Sequence, residues 1–167
     1  FIDDLFTGAG LMHHATRLGD EIADIVATGG YPAALTMVNA RRRAGWYRDY
    51  VETIAKRDIR ELARIREVEA LPRLMEMAAA RTAQLFNLAD LAGPFRLSRP
   101  TIGDYVTLLE NVFLIDRLPP WHSNRLSRLI KTPKLHLGDT GVATAVLDQT
   151  PDTLREDRGL LGHLLET

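Results

Sequence analysis

The stretch Thr82–Trp121 reads TAQLFNLADLAGPFRLSRPTIGDYVTLLENVFLIDRLPPW, and its hydrophobic period changes along its length. Residues Asn87–Ala92 predict a short helix that Gly93 and Pro94 end. Ser98 can cap a second helix, because a serine hydroxyl accepts hydrogen bonds from the first free amides of a helix. The apolar positions of this second helix recur at spacings of three and four: Ile102, Tyr105, Val106, Leu109 and Val112.

A β-hairpin is predicted directly after the second helix. Residues Phe113–Leu118 are extended in character and end at Pro119-Pro120, and the run Lys134–Leu137 can return as the second strand. A helix-turn-helix followed by a hairpin is the arrangement of a winged-helix domain, whose second helix enters a DNA groove in many proteins and serves protein contacts in others. The expected fold class is mainly α: a helical bundle followed by a winged-helix (helix-turn-helix plus β-hairpin) domain.

Helical patterns lie on both sides of this stretch. The predicted helices are Leu11–Thr28, Ala33–Asn39, Arg43–Lys56 and Leu71–Gln84 before it, and Gly141–Leu147 after it, with Asp139 or Thr140 as the N-cap. The third of these would bury one stripe (Trp46, Tyr50, Val51 and Ile54) and expose another (Arg48, Asp49 and Glu52). The fourth would turn Leu74, Met75, Ala78 and Leu85 inward. A polar stretch, 148–158, separates the last of them from a helix-like end, GLLGHLLET.

Composition bounds the function classes. The 167 residues are 46% hydrophobic with a formal net charge of −1, so a core is expected and a general attraction to nucleic acid is not. The chain has no cysteine, which suits a cytoplasmic protein, and no apolar run approaches the roughly 20 residues of a membrane helix. Because the sequence starts at Phe1 and stops within a helical pattern, we expect a piece of a longer protein.

Catalytic and cofactor motifs are missing from the sequence. The glycines at 8–10 and at 29–30 lack the following Lys-Ser/Thr of a phosphate-binding loop and are interpreted as turns. The five histidines have no ligand-like spacing, and no nucleophile is paired with a base. We therefore expect no catalytic residue, no metal site and no cofactor in this chain. The run Arg41–Arg43 favours a solvated face or an inter-domain contact over phosphate binding.

Charge is unevenly distributed. Residues 94–137 carry seven Arg or Lys against three Asp or Glu, a net +4, while the rest of the chain carries −5. A basic region on an acidic body favours local DNA binding. The candidate contacts are Ser98, Arg99, Thr101, Arg125, Arg128, Lys131 and Lys134. Asp104 and Glu110 on the same helix oppose DNA, so two alternatives stay open: a DNA-contacting module, or a protein–protein adaptor that binds no nucleic acid.

Four sequence blocks carry a family resemblance: GGYPAAL (29–35), WYRDYVETIAKRDIREL (46–62), LSRPTIGDYVTLLENVFLIDRLPPW (97–121) and KTPKLHLGDTGVATAVL (131–147). They resemble the C-terminal part of prokaryotic AAA+-type P-loop ATPases that carry the domain of unknown function 4143. The resemblance implies four parts: 1–28 as the tail of an ATPase lid, 29–80 as a helical region, 81–147 as a winged helix, and 148–167 as the start of a PD-(D/E)xK-like domain.

The same resemblance implies a functional context. Glu166 would match the first acidic position of an incomplete nuclease-like site, and ATP and magnesium would belong to the parent protein. This chain would then be a non-catalytic C-terminal module of an ATP-binding protein, with the missing ATPase domain and, in one alternative, DNA as its partners.

Overall fold

The computed structural model describes residues 18–57, 70–95, 97–121 and 132–167. Its helices are α1 (Glu21–Thr28), α2 (Pro32–Leu35), α3 (Ala40–Lys56), α4 (Ala70–Ala80), α5 (Leu88–Phe95), α6 (Arg99–Asn111), α7 (Thr140–Val146), α8 (Pro151–Glu156) and α9 (Arg158–Leu165). Its strands are β1 (Gln84–Leu85), β2 (Ile115–Leu118) and β3 (Lys134–Leu137). The fold is mainly helical with a small antiparallel sheet, and no helix within these ranges is long and apolar enough to cross a bilayer.

Helix α7 lies at the centre of the helical part. Its residues 141–145 are all buried, and it packs against α1, α3, α4 and α9. Asp139 caps the helix, as predicted, because its Oδ1 accepts a hydrogen bond of 3.0 Å from the Val142 amide. The other carboxylate oxygen accepts one of 2.6 Å from the Gly30 amide, which ties the loop after α1 to the start of α7.

The sheet has the strand order β1-β3-β2. Leu135 on β3 lies opposite Gln84 on β1 and opposite Arg117 on β2. Leu135 and Leu137 are buried, with α4 packed against β3 and α6 against β2, whereas the alternate residues Lys134 and His136 belong to the outer face. Helix α4 contacts α3, α7, α5 and β3, so it joins the helical part to the sheet.

Strand β1 corrects the prediction of a helix over 71–84. The helix ends at Ala80, and the following backbone pairs with β3 instead: the Ala83 amide donates to the Leu135 carbonyl at 2.6 Å and the Phe86 amide to the Pro133 carbonyl at 2.8 Å. This pairing turns Leu85 outward with 68% of its surface exposed, so its predicted inward position was wrong.

Helices α5 and α2 also end at residues other than those predicted. Helix α5 continues through Gly93 and Pro94 to Phe95, because a proline in the last turn removes one hydrogen bond and leaves the preceding turns intact. The helix predicted over 33–39 ends at Leu35, since Asn39 accepts a hydrogen bond of 3.0 Å from the Arg42 amide and so caps α3.

The polar stretch 148–158 contains a helix that the sequence analysis missed. Thr150 and Thr153 form a reciprocal capping box at the start of α8. Leu154 is the buried apolar residue of this helix. One apolar residue gives no helical period, which explains the omission.

The buried face of α3 is centred on Tyr47 rather than on Trp46. Tyr47 is 1% exposed and its hydroxyl donates to the Thr28 carbonyl at 2.9 Å, whereas Trp46 and Tyr50 are half-buried and stack with ring centroids 5.3 Å apart. Burial raises the pKa of the Tyr47 hydroxyl well above its ordinary value. Val51 and Ile54 are buried, as predicted.

Candidate nucleic-acid interface

The start of α6 uses two candidate side chains for capping. Ser98 Oγ accepts a hydrogen bond of 3.3 Å from the Thr101 amide and lies 2.8 Å from the Thr101 hydroxyl. The predicted N-cap role of Ser98 is confirmed. The two hydroxyls lie at the surface, but they are already engaged in hydrogen bonds that stabilise the start of α6.

Arg99, the first residue of α6, lies beside an open groove of about 410 Å³ between the end of β1 and the residues that directly precede β3. The groove is lined by Phe86, Asn87, Leu88, Arg99, Arg117, Thr132 and Pro133. Arg99 is exposed and has no ion-pair partner within the described ranges. Its guanidinium is therefore available to an anion.

Arg117, which also lines this groove, is already neutralised. Its Nε donates to Glu110 Oε1 at 2.6 Å and its Nη2 to Glu110 Oε2 at 2.5 Å, a two-pronged pair between β2 and α6. The hydrogen bond with Glu110 raises the pKa of the Arg117 guanidinium above its ordinary value. Arg117 holds the helix to the sheet and adds little positive field to the surface.

The exposed face of α6 carries neutral or acidic groups. Asp104, Thr107 and Asn111 are exposed at helical spacing, with the half-buried Gly103 beside them. After Arg99, no Arg or Lys occurs in this helix. A carboxylate at the middle of this face repels phosphate rather than attracting it.

Lys134 and Glu166 contact each other. Lys134 Nζ on β3 donates to Glu166 Oε2 at the end of α9. The same end of α9 is fastened by a hydrogen bond of 2.7 Å between the hydroxyls of Thr82 and Thr167. Lys134, a candidate DNA contact, and Glu166, the candidate acidic position of a nuclease-like site, thus neutralise each other. The two residues are 32 positions apart, so no local sequence signal predicts this pair. The remaining candidates, Arg125, Arg128 and Lys131, lie outside the described residues.

The described ranges contain no group of three His, Cys, Asp or Glu side chains that could bind a metal ion together. On β3, the Nε2 atom of His136 is buried and has no hydrogen-bond partner within the described residues. The expectation that the chain holds no metal or cofactor stays a prediction.

The comparisons with known proteins assign the family. The chain belongs to the family described as "Domain of unknown function (DUF8612)", whose model matches residues 19–153. Two curated proteins described as uncharacterised, from Mycobacterium tuberculosis and Mycobacterium bovis, are each 28% identical over 131 residues. The alignment covers 78% of this chain and 30% of each relative, so the chain spans less than a third of their length. No solved structure matches the chain.

This family assignment corrects the resemblance drawn from the sequence. The matching family is not the one numbered 4143, and neither relative is described as an ATPase, so the proposed kinship with AAA+-type ATPases was wrong. The expectation of ATP and magnesium in a parent protein rested on that resemblance and loses its basis. The divisions at 28, 80 and 147 stay predictions.

Proposed function

We propose that the described elements between residues 70 and 137 form a winged helix that acts as a non-catalytic adaptor, contacting another protein surface and not DNA. The element order α4-β1-α5-α6-β2-β3 with the strand order β1-β3-β2 supports the winged-helix assignment. Fold alone does not choose between DNA and protein as the partner, so the choice depends on the surface chemistry.

The observation that carries the proposal is the charge of the surface around α6. A helix that enters a DNA groove needs donors for base edges and cations for phosphates. The exposed face of α6 instead presents Asp104, and Arg117, the cation of β2 that reaches this helix, is paired with Glu110. Lys134, on the outer face of the sheet, is likewise paired with Glu166. DNA at either surface would have to compete with a carboxylate for the cation.

An apolar row on the outer sheet face supports a protein partner. Leu85 and Leu118 both lie opposite Lys134 in the sheet register, so the three side chains share one face. Leu85 is 68% and Leu118 53% exposed, and Trp121, three residues beyond β2, is 87% exposed. Exposed apolar and aromatic side chains in one region are typical of protein interfaces.

A second candidate function, DNA contact, is favoured by Arg99. This arginine borders the groove between the end of β1 and the start of β3, and the region 94–137 has a net charge of +4. Such binding would neutralise phosphates and would be largely independent of base sequence.

Fluorescence anisotropy with a labelled DNA duplex at low and moderate salt tests the proposal. The adaptor function predicts no salt-sensitive binding by the wild-type chain. Binding with a logarithmic salt slope near −0.9 per neutralised phosphate would overturn it. In that case Arg99→Gln should weaken binding, whereas Arg57→Gln, an equal charge change at the exposed end of α3, should not.

A further inference from the structure

A second concave surface lies in the helical part, away from the sheet. It is a cleft of about 430 Å³ between α3 on one side and the connection from α7 to α8 on the other. The floor is made of small residues that let the helices approach: Ala27, Ala44, Gly141 and Ala145. A cavity of this size falls within the range of about 300–1,000 Å³ that is usual for small-molecule sites.

The walls of the cleft are basic. Three arginines of α3, Arg41, Arg43 and Arg48, line it, against one acidic residue, Asp148, on the opposite wall. Arg42, which lies between two of them in sequence, does not line the cleft. Within the basic run Arg41–Arg43, the helix therefore places Arg41 and Arg43 at the cleft and Arg42 outside it.

The three arginines are engaged to different degrees. Arg48 Nη1 donates to Asp148 Oδ1 at 2.7 Å, and Arg43 Nη1 donates to the Met37 carbonyl at 2.9 Å. The Met37 carbonyl carries no formal charge, so Arg43 keeps its positive field. Arg41 is exposed, and no ion-pair partner for it lies in the described part of the chain. The cleft therefore keeps a net positive charge above an apolar floor.

We infer that this cleft binds a small organic anion. An apolar or aromatic body would lie on the alanine and glycine floor, and its carboxylate or phosphate would accept hydrogen bonds from Arg41 and Arg43. Guanidinium groups suit both anions because their donors match the paired oxygens of either group. The alternative, that these arginines only form a solvated face, does not explain the concave apolar floor beneath them. The inference concerns a different surface from the proposed adaptor and does not depend on it.

The test is an amide NMR titration of the ¹⁵N-labelled chain with four probes: benzoate, phenyl phosphate, inorganic phosphate and benzyl alcohol. We expect saturable shifts at Ala27, Ala44, Gly141 and Ala145 with benzoate or phenyl phosphate. The tighter of these two distinguishes a carboxylate from a phosphate ligand. Inorganic phosphate lacks the apolar body and benzyl alcohol lacks the charge, so both should bind more weakly.

Variants locate the binding. Arg41→Gln should weaken the tighter probe by about tenfold, the loss expected for one charge-assisted hydrogen bond. Ala44→Leu should weaken it by filling the floor. Arg42→Gln is the matched control, because it removes the same charge from the neighbouring exposed position. The inference is overturned if neither organic anion gives saturable shifts, if the shifts lie elsewhere, or if Arg41→Gln and Arg42→Gln behave alike.

Discussion

Lys134 on β3 and Glu166 at the end of α9 form an ion pair that fastens the C-terminal helix to the sheet. The hydroxyl pair Thr82–Thr167 lies on the same junction, and Thr82 Oγ1 also accepts a hydrogen bond of 3.1 Å from the Leu137 amide. An anion approaching Lys134 must compete with Glu166, so this lysine contributes to the packing of α9 before it can contribute to binding.

The pKa of the Glu166 carboxyl should show whether the ion pair with Lys134 forms. The hydrogen bond with Lys134 holds the pKa of the Glu166 carboxyl below its ordinary value. Because the folded-state pKa is lowered, the pair stabilises the fold above the unfolded pKa of about 4.3, and this contribution is lost as the pH falls through the lowered value. We expect carboxyl ¹³C NMR to show a lowered pKa that returns toward the ordinary value in Lys134→Gln. Arg158→Gln, at the other end of α9, should leave it unchanged; equal pKa values in wild type and Lys134→Gln would contradict the pairing.

Tyr47 should contribute more to stability than its neighbour Trp46. Tyr47→Ala removes a side chain that is 1% exposed, and deletions of buried aromatic rings cost about 3–5 kcal/mol. Trp46→Ala should cost about 1–2 kcal/mol, because the half-buried ring loses mainly its stacking with Tyr50 and part of its apolar contact. Urea unfolding of both variants measures the difference. A larger loss for Trp46→Ala would show that the packing of α3 is assigned to the wrong side.

Two glycines should respond oppositely to alanine. A Cβ at Gly141 would lie 2.5 Å from the Tyr47 ring, whereas a Cβ at Gly45 would meet nothing within 4 Å. Gly141→Ala should therefore destabilise the protein by about 1–3 kcal/mol through overpacking. Gly45→Ala should stabilise it by about 0.5–1 kcal/mol, since alanine favours the interior of a helix. Thermal unfolding followed by circular dichroism compares them, and a Gly141→Ala variant as stable as wild type would contradict the close contact between α3 and α7.

Local signals in the sequence were sufficient for part of the fold. Ser98 and Asp139 cap the helices that they were predicted to cap, and the run Lys134–Leu137 forms the strand expected there. Each of these depends on neighbouring residues alone. The DNA candidates stay predictions, because three of the cations lie outside the described residues.

The remaining features depend on distant parts of the chain. Strand β1 has two residues and forms only by pairing with β3, about 50 positions away, so no local alternation reveals it. Tyr47 rather than Trp46 enters the core because the space that admits its ring is left by Gly141 on α7. The partner of Lys134 is likewise set by how α9 packs, which the periodicity of the C-terminal helix does not specify.

The chain should not hydrolyse ATP. No glycine-rich loop followed by Lys-Ser/Thr occurs in the sequence, and no three-residue metal-binding group forms in the ranges that the structure describes. In P-loop NTPases this loop holds the phosphates, and its Ser/Thr holds the magnesium together with a carboxylate. Phosphate release with ATP and magnesium should equal that of a protein-free control. Turnover that persists through repurification would show that the non-catalytic assignment is wrong.

The charge on α6 should decide whether DNA can bind. Asp104 is exposed at the middle of the helix face, so Asp104→Arg replaces a group that repels phosphate by one that attracts it, a change of two charges. If the scaffold is a winged helix whose surface charge prevents DNA binding, this variant should gain salt-sensitive binding in fluorescence anisotropy that wild type lacks. Glu156→Arg, the same change at an exposed position of α8, is the control and should gain none. Gain of binding by both variants would indicate an unspecific charge effect. No gain by Asp104→Arg would contradict the prediction, because the charge of α6 would then not be what prevents DNA binding.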